Sequence, residues 1–358
     1  MTFAETFSLK EHKDLVNSAL AEFSTRECDY LRGIGSELND VATAMHSFIC
    51  DSGKRLRPLF AYVGYLGTGA HPDEVALQAA SSLELIHVCA LMHDDVMDGS
   101  DSRRGAPSIH KAFEAIHKSN NSLGSAEQFG ISSAILLGDL ALIWSAKMLH
   151  QSGLPSDALL RSLPMYDEMR VELMAGQYLD VYESTLSSQS VERSLKVARY
   201  KSGKYTIERP LHFGAAMGSA HPEKLMKAYS DYGLPLGEAF QLRDDVLGVF
   251  GNPSETGKPA GDDLREGKRT VLLATTLDRV SPAQQAIINE HVGNANLSAD
   301  GVEEVRNIMV TTDSLAELED LIERLTQAAL SALDNEVIAK VARTSLAELV
   351  SIATRRNT

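Results

Sequence analysis

The chain has 358 residues, and 44% of them are hydrophobic, so it is long enough to bury a large core. Lys and Arg total 34 against 49 Asp and Glu, and the resulting formal charge of −15 argues against nucleic acid as a partner. The 3 cysteines lack CxxC spacing, which argues against a disulfide framework or a zinc site and favours a reducing, cytoplasmic environment.

Apolar residues recur mostly at spacings of three and four, and alternating β-branched runs are scarce, so the sequence predicts an all-α fold. We expect one domain, 1–358, with residues 1–30 forming a helical extension packed on the core. The first residues carry acids, and no apolar run approaches the length of a membrane span. We therefore expect no signal peptide and no stable membrane insertion.

In chain order, the periodicity predicts helices over the following ranges: 36–48, 55–65, 73–98, 127–151 and 156–184. A further helix carries Lys201, and the helix that follows it ends near Phe250. The loop 251–269 is too long to be a simple connection, and loops of that length are usually functional. An amphipathic C-terminal region follows, with a capping box predicted over Ser314–Glu317.

The segment ELIHVCALMHDDVMDGSDSRRG, at 84–105, contains three carboxylates in five residues. Asp94, Asp95 and Asp98 fall at i, i+1 and i+4, so on a helix the first and third lie on the same face. Carboxylates crowded in this way repel one another unless they hold a proton or bind a cation. Oxygen ligands without a neighbouring thiolate favour a hard metal, and Mg²⁺ in particular.

The loop after these carboxylates is basic. Gly99 and Gly105 bracket it, and it carries Arg103 and Arg104. Guanidinium groups present paired donors that match the oxygens of a phosphate. The acidic helix end and its basic loop therefore predict half of a metal–phosphate site.

A second acidic cluster lies in GEAFQLRDDVLGVFG, at 237–251, where Gln241, Asp244 and Asp245 share a helical face. A single cluster of this kind is often no more than a solvated helix face. Two clusters, each in an apolar helix and each followed by a basic loop that contains glycine, indicate a shared function.

These segments resemble, in order, those of the trans-isoprenyl (polyprenyl) diphosphate synthases, and the resemblance extends over most of the chain. The matching segments are GKRLRP at 53–58, ELIHVCALMHDDVMDGSDSRRG at 84–105, LLGD at 136–139, GQYLD at 176–180, YKSGKYT at 200–206, and FQLRDDVLGVFG followed by GKPAGDDLREGKRT. The resemblance implies a helical bundle around a central cavity and a Mg²⁺-dependent prenyltransferase. Such an enzyme condenses isopentenyl diphosphate with an allylic diphosphate, and the sequence is most like a geranylgeranyl diphosphate synthase.

The resemblance also implies roles for individual residues. Mg²⁺, three ions in this family, would be bound by five carboxylates: Asp94, Asp95, Asp98, Asp244 and Asp245. The diphosphate of isopentenyl diphosphate, which carries no metal, would be bound by four basic groups: Lys54, Arg57, His87 and Arg104. The allylic diphosphate would be bound by another four: Arg103, Lys201, Lys258 and Lys268. The helix carbonyl near Lys201, together with Ser202 and Gln241, would face the developing carbocation.

The second acidic motif departs from the family pattern, because its third acid would fall at Gly248. We expect the metal there to be bound more weakly or to use Asp262 and Asp263, with Asp244 as the main ligand. We expect Arg55 to be a surface charge. Four other polar residues match family positions but suit hydrogen bonds between helices equally well: Glu84, Asp139, Gln177 and Asp180.

Product length depends on the residues that precede Asp94. The residue five positions earlier is Cys89, about 7.5 Å back along the helix axis at about 1.5 Å per residue. Synthases that stop at fifteen carbons through this device resemble one another in having aromatic residues here, whereas Cys89 and Ala90 are small and Ile86 is moderate in size. We therefore expect a twenty-carbon product, geranylgeranyl diphosphate, with a longer-chain or a farnesyl product as the alternative.

Two other functions stay open on the sequence. A terpene cyclase shares the fold and the first acidic motif, but usually has an Asn/Ser/Glu metal triad in place of DDVLG. A non-catalytic subunit of a heteromeric synthase tends to lose acidic motif residues, and only Gly248 points that way. The family is commonly a homodimer with two-fold symmetry, so we expect a homodimer here.

Overall fold

The structure, a computed structural model, describes residues 8–51, 53–186, 188–252 and 261–354. Most of these residues are helical, which confirms the all-α prediction. The strands found among them are two residues long each, β1 (Ser102–Arg103) and β2 (Ala106–Pro107), and they pair as an antiparallel hairpin.

The helices closely follow the apolar periodicity. Up to the middle of the chain they are α1 (Leu9–Ile34), α2 (Asn39–Cys50), α3 (Leu56–Leu66), α4 (Glu74–Met97), α5 (Ile109–Ser119), α6 (Ala126–His150) and α7 (Ser156–Ser184). The rest are α8 (Val191–Val197), a π-helical segment (Ala198–Glu208), α9 (Arg209–Gly218), α10 (Glu223–Phe250), α11 (Asp262–Glu266), α12 (Val271–Leu277), α13 (Pro282–His291), α14 (Ala299–Thr311), α15 (Ser314–Ala332) and α16 (Lys340–Thr354).

The helices divide into two compact units, each assembled from segments that are distant in sequence. The first contains the described residues up to Met165, with Pro210–Pro222 and Ala339–Ser345. The second contains Tyr166–Arg209, Glu223–Ile338 and the C-terminal residues from Leu346 onward. The organisation of the chain as one domain stays a prediction.

Helix α4 is the central helix of the first unit and packs against α3 and α6. The side chain of Asp73 caps its N-terminus by accepting a hydrogen bond from the N–H of Val75, and the C-cap residue is Asp98. Its length therefore agrees closely with the predicted range 73–98. Helix α4 is buried on several sides. The carboxylates at its C-terminal end therefore lie at the end of a core helix.

Two helices, α4 and α6, are long and apolar enough to span a membrane, which the sequence reading did not anticipate. In α4, 72% of the most apolar window is buried inside the protein, as is typical of a core helix. In α6 the buried share is 39%, so much of its apolar surface lies outside the core of this chain. Helix α4 is therefore apolar because it lies in the core, whereas α6 also carries apolar residues on a surface that this chain does not cover.

In the second unit, α10 packs against the π-helical segment on one side and α15 on another. Leu242, Val246 and Val249 of α10 belong to one buried cluster that also includes Leu264 of α11. Pro235 lies in the interior of α10 rather than in its first turn. These contacts fix α10 along most of its length and so determine where its acidic cluster lies.

The π-helical segment interrupts what would otherwise be a continuous helix from α8 to α9. Its last hydrogen bond joins the N–H of Arg209 to the carbonyl of Lys204, five residues back. Pro210, which has no N–H to donate, follows at once. Single π-helical turns inside α-helices occur frequently at functional sites, and this one carries Lys201 and Ser202.

One local prediction was wrong. Helix α15 begins at Ser314 after Asp313, which has a left-handed backbone (φ 57°) and makes no side-chain cap, so Ser314–Glu317 is not a capping box. A capping box does form at the start of α13, between Ser281 and Gln284.

Candidate active site

The acidic end of α4 is organised by Arg103, which reaches back from β1. Its Nε donates to both carboxylate oxygens of Asp95, at 2.8 and 2.9 Å, and its Nη2 lies 2.6 Å from Oδ1 of the same residue. The Asp94 carboxylate is further away, at 3.7 Å from Nη2. Asp95 is buried, whereas Asp94 and Asp98 are partly exposed. Arg103 therefore neutralises the innermost carboxylate and leaves the two outer ones at the surface of the site.

The pKa of Arg103 reflects the same arrangement. Burial acts to lower the pKa of Arg103, but its hydrogen bonds to Asp95 and the charges of Asp95, Asp94 and Asp98 outweigh burial and raise that pKa overall. The guanidinium therefore stays charged and offsets part of the negative charge at this helix end.

The basic loop forms a tight β-hairpin, which was not predicted from the sequence. Arg103 pairs with Ala106 across the two strands, and the turn passes through Arg104 (φ 53°) and Gly105 (φ 79°). Arg104 is thereby turned away from Asp95, and its Nη1 lies 3.2 Å from Oδ2 of Asp51. The two adjacent arginines thus point to different partners, as expected if they bind different phosphate groups.

His87 lies on α4 among positive charges. Its burial lowers the pKa well below the usual value, and the nearby guanidinium groups of Arg57, Arg104, Arg103 and Arg55 lower it further. The imidazole is therefore neutral at physiological pH and can donate one hydrogen bond. Arg57 lies in the first turn of α3 and Lys54 in the exposed segment before it.

Arg55 was expected on the surface, and this expectation was wrong. The residue is 3% exposed, and its Nη1 lies 2.9 Å from Oε1 of Glu84, which is equally buried. A buried partner for Arg55 could have been expected, because Glu84 lies on the buried face of an apolar helix and needs a cation. Glu84 is therefore tied to its neighbours by an ion pair.

Lys201 lies in the π-helical segment, beside α7. Its Nζ is 2.5 Å from Oδ2 of Asp180, and a Cβ on Gly176 would come within 2.3 Å of the Lys201 backbone nitrogen. The absence of a side chain at Gly176 thus allows close approach of the two helices, and Asp180, one turn later, orients the lysine. Gln177 lies half-buried on the same helix.

The π-helical segment also touches α10 through backbone atoms. A Cβ on Gly237 would come within 2.6 Å of the Gly203 Cα, so neither position has room for a side chain. Gln241 follows one turn after Gly237 and donates from Nε2 to Oδ1 of Asp245, at 2.8 Å. The glycine contact therefore brings Ser202 and Gln241 onto neighbouring turns of packed helices, and their role towards a carbocation stays a prediction.

Asp245 is the buried member of the second cluster. Burial raises its pKa to about 7, and the carboxylates of Asp263 and Asp244 act in the same direction, while the hydrogen bond from Gln241 opposes them. Its Oδ2 accepts from the N–H of Val271, at 3.2 Å. Asp244, in contrast, is partly exposed.

The space of the missing third acid is filled by Asp263. A Cβ on Gly248 would lie 1.8 Å from Oδ2 of Asp263 and 2.4 Å from its Cγ. Asp263 belongs to α11, and the Nζ of Lys268 lies 3.7 Å from its Oδ1. Of the two candidates named from the sequence, Asp263 is thus the one whose carboxylate lies where a side chain at Gly248 would start. Lys258 lies outside the described residues.

The donor set fits Mg²⁺. Among the residues that the structure describes, no group of three or more His, Cys, Asp or Glu side chains is placed so that it could hold a metal ion by side chains alone. Each cluster instead offers partly exposed carboxylates beside a buried one that is already hydrogen-bonded. Mg²⁺ is typically held in this way, by one or two carboxylates, with waters and substrate phosphates completing its octahedron.

The residues that precede Asp94 are closely packed. Cys89 is fully buried, its Sγ lies 3.7 Å from Nδ1 of His93, and burial raises the pKa of the thiol to about 12. A Cβ on Gly138 of α6 would lie 2.1 Å from Nε2 of His93. Ile86 is also buried, and Ala90 is partly exposed. Small residues on both helices thus surround the position proposed to set product length.

The sequence model of the family described as polyprenyl synthetase matches residues 39–309, a range that contains both acidic clusters. This chain belongs to the polyprenyl synthetase family. Among curated relatives, geranylgeranyl diphosphate synthase of Sulfolobus acidocaldarius is 28% identical over 310 residues, covering 86% of this chain and 87% of that protein. Geranylfarnesyl diphosphate synthase of Aeropyrum pernix is 32% identical over 268 residues, covering 74% and 77%.

A solved polyprenyl synthetase structure agrees closely with the fold. The crystal structure of geranylgeranyl pyrophosphate synthase from Corynebacterium glutamicum, complexed with isoprenyl diphosphate and magnesium, matches with a TM-score of 0.94 and 42% identity. The match covers 98% of this chain and 100% of that one.

We predict that Gly248→Asp, although it restores the family's acidic pattern, weakens Mg²⁺ binding, because the new side chain collides with Asp263. Overpacking of this kind typically lowers the free energy of unfolding by about 1–3 kcal/mol. Asp263→Ala alone should also weaken binding, by roughly 10-fold or more. The double variant Gly248→Asp/Asp263→Ala should regain most of the Mg²⁺ affinity, because it supplies the carboxylate from position 248. Calorimetric titration with Mg²⁺ in the presence of inorganic pyrophosphate measures this directly.

Gly33→Ala is the matched control, because no atom lies within 4 Å of a Cβ at that helical glycine. It should bind Mg²⁺ like the unmodified protein. Tighter Mg²⁺ binding in Gly248→Asp, together with unchanged binding in Asp263→Ala, would show that Asp263 does not compensate for Gly248.

Proposed function

We propose that this prenyltransferase joins isopentenyl diphosphate to an allylic prenyl diphosphate, with geranylgeranyl diphosphate as its main product. The observation that carries the proposal is the acidic end of α4, where Arg103 neutralises Asp95 and leaves Asp94 and Asp98 partly exposed beside the basic loop. Such a site suits a diphosphate that carries Mg²⁺.

The carboxylates of the two clusters fall into two groups, those that would bind Mg²⁺ directly and those that would orient the site. We assign Asp94, Asp98 and Asp244 as direct ligands of Mg²⁺, since they are partly exposed. Asp95 and Asp245 are buried and hydrogen-bonded to Arg103 and Gln241, so they would orient the site. Bound Mg²⁺ would draw charge from the departing diphosphate, and the number of ions, three, rests on the family resemblance.

The second substrate would be bound without a metal ion. Lys54, Arg57 and Arg104 supply positive charge around the diphosphate of isopentenyl diphosphate, and His87, kept neutral by its surroundings, donates a hydrogen bond. Holding the double bond next to the allylic carbon supplies much of the rate, since it replaces an encounter in solution.

In the reaction, the allylic C–O bond breaks and leaves a carbocation, which the double bond of isopentenyl diphosphate attacks to form the new C–C bond. Lys201, held by Asp180, would bind the departing diphosphate. Ser202 and the amide oxygen of Gln241 would face the cation. The new carbocation formed by this attack loses a proton to the released diphosphate, which gives the neutral alkene of the product, so no protein base is needed. Because the double bond is the nucleophile, no protein nucleophile takes part.

We predict that the purified chain makes prenyl diphosphate from isopentenyl and farnesyl diphosphates in Mg²⁺. Asp94→Ala and Asp244→Ala should each lower kcat by roughly 10²-fold or more, because each removes charge stabilisation at the departing diphosphate. Asp231→Ala is a control on the same helix as Asp244, since Asp231 is exposed and forms an ion pair with the exposed residue Lys227. It should keep full activity. The products are measured as prenyl alcohols made from radiolabelled isopentenyl diphosphate.

Two results would contradict this function. A hydrocarbon made from the allylic diphosphate alone would favour a terpene cyclase. A well-folded chain that turns over only after another protein is added would favour a subunit of a heteromeric synthase.

Product length is proposed to depend on Cys89. We predict that Cys89→Phe shortens the main product from twenty carbons to fifteen, because the ring extends from a fully buried site next to His93. Cys89→Ser keeps the size of the side chain and should leave the product distribution unchanged. Mass analysis of the prenyl alcohols gives the result, with thermal melting as a check on folding. An unchanged distribution in a folded Cys89→Phe variant would exclude this position as the determinant.

We further propose a homodimer formed through α6. Phe129, Leu136 and Ile143 recur every seven residues on this helix and are 44%, 65% and 63% exposed. An apolar stripe with this spacing can pack against an identical stripe around a two-fold axis. The low buried share of α6 within one chain also supports this assignment.

The double variant Leu136→Glu/Ile143→Glu should therefore be monomeric in sedimentation velocity at concentrations where the unmodified protein is a dimer. Leu123→Glu is the control, because Leu123 is 97% exposed in the loop before α6. A double variant that still sediments as a dimer would exclude this face.

A cytoplasmic location is proposed as well. Cys28, Cys50 and Cys89 are all free thiols, which agrees with a reducing compartment.

A further inference from the structure

Arg55 lies between two of the cations assigned above to isopentenyl diphosphate, Lys54 and Arg57, yet its own side chain points into the protein. The residue is 3% exposed. Its backbone has a left-handed conformation, with φ of 54°, which is uncommon for a residue other than glycine. A conformation of this kind persists only where surrounding contacts hold it.

Those contacts come from three helices. Nε of Arg55 donates to Oδ1 of Asn17 on α1, at 2.9 Å, and Nη1 donates to Oε1 of Glu84 on α4, also at 2.9 Å. Nη2 donates to the carbonyls of Ile49 and Asp51 at the end of α2, at 2.8 Å each. One planar guanidinium thus joins α1, α2 and α4 and satisfies carbonyl groups that the end of α2 leaves without helical partners.

Glu84 is as deeply buried as Arg55. Its Oε1 is bound by the guanidinium, and its buried Oε2 has no hydrogen-bond partner among the residues that the structure describes, so Arg55 compensates most of its charge. A Cβ on Gly53 would lie 3.2 Å from Nη1 of Arg55 and 3.4 Å from Oε1 of Glu84. The chain therefore closes tightly over the ion pair immediately before Lys54.

The same guanidinium is linked to the other basic residues of the site. Asp51, whose carbonyl accepts from Arg55, binds Nη1 of Arg104 through its carboxylate, at 3.2 Å. Glu84 lies three residues before His87, on the same face of α4. The contacts of Arg55 thus extend to the positions that carry Lys54, Arg57, Arg104 and His87.

We propose that Arg55 is a positioning residue that holds the left-handed turn and so directs Lys54, Arg57 and Arg104 at the diphosphate of isopentenyl diphosphate. Arg55 does not touch the diphosphate itself. This inference rests on the proposed function. It predicts that losing the anchor impairs binding of isopentenyl diphosphate selectively. The described contacts of Arg55 are with Asn17, Ile49, Asp51 and Glu84, and none of these is assigned to the allylic diphosphate.

The test compares the KM values of the two substrates. In Arg55→Lys we expect the KM for isopentenyl diphosphate to rise on the order of 10-fold or more, because a lysine cannot reach four acceptors at once. The KM for the allylic diphosphate and kcat at saturation should change by less than about 2-fold. Arg32→Met, which removes an exposed arginine paired with Asp29 on α1, is the control and should change neither.

Removing one partner of a buried ion pair endangers folding, so a second variant keeps the test decisive. Arg55→Met/Glu84→Gln removes both charges together and should fold, as thermal melting will show, yet it leaves the turn without its anchor. It should raise the KM for isopentenyl diphosphate as Arg55→Lys does. An equal rise in both KM values, or a lower melting temperature with normal KM values, would overturn the positioning role.

Lys54→Ala and Arg57→Ala separate this inference from the function on which it rests. Both variants should raise the KM for isopentenyl diphosphate. If neither does, the assignment of that substrate to these cations is wrong. If both do while the folded Arg55 variants bind it normally, only the inference about Arg55 is wrong.

Discussion

Repulsion between neighbouring carboxylates is the constraint on which the site depends. At the end of the core helix α4, a stretch of five residues contains three acids. The innermost, Asp95, is neutralised by charge-assisted hydrogen bonds from Arg103. In α10 the buried acid, Asp245, is instead hydrogen-bonded by Gln241 and a backbone N–H. Both solutions keep one acid fixed inside and leave the others partly exposed, where a bound cation, as proposed, would relieve the repulsion between them.

Much of this could be predicted from sequence, because the signals were local and periodic. Apolar spacing located α4 and α6 to within a residue or two, since a helix that buries one face must repeat its apolar residues every three or four positions. The family motifs then identified the acidic and basic residues of the predicted site. Asp73 and Asp98, at the ends of α4, fall at the predicted limits 73–98.

What could not be predicted depended on contacts between distant segments. A basic residue in a loop is normally exposed, so Arg55 could be recognised as buried only through Asn17 and Glu84, which are far from it in sequence. The π-helical segment has no pattern of its own, because one extra residue in a turn barely changes the apolar periodicity. Nor could the sequence decide between Asp262 and Asp263, since the choice depends on where α11 packs against α10.

The position of Asp263 has a thermodynamic consequence. An acid at position 248 would be fixed in place as soon as α10 formed, whereas Asp263 belongs to the five-residue helix α11, which is too short to be stable alone. Its carboxylate reaches the cluster only when α11 docks. By linkage, a cation that binds Asp263, as we expect, would also favour the docked form of α11, so local order in α11 should rise with metal concentration.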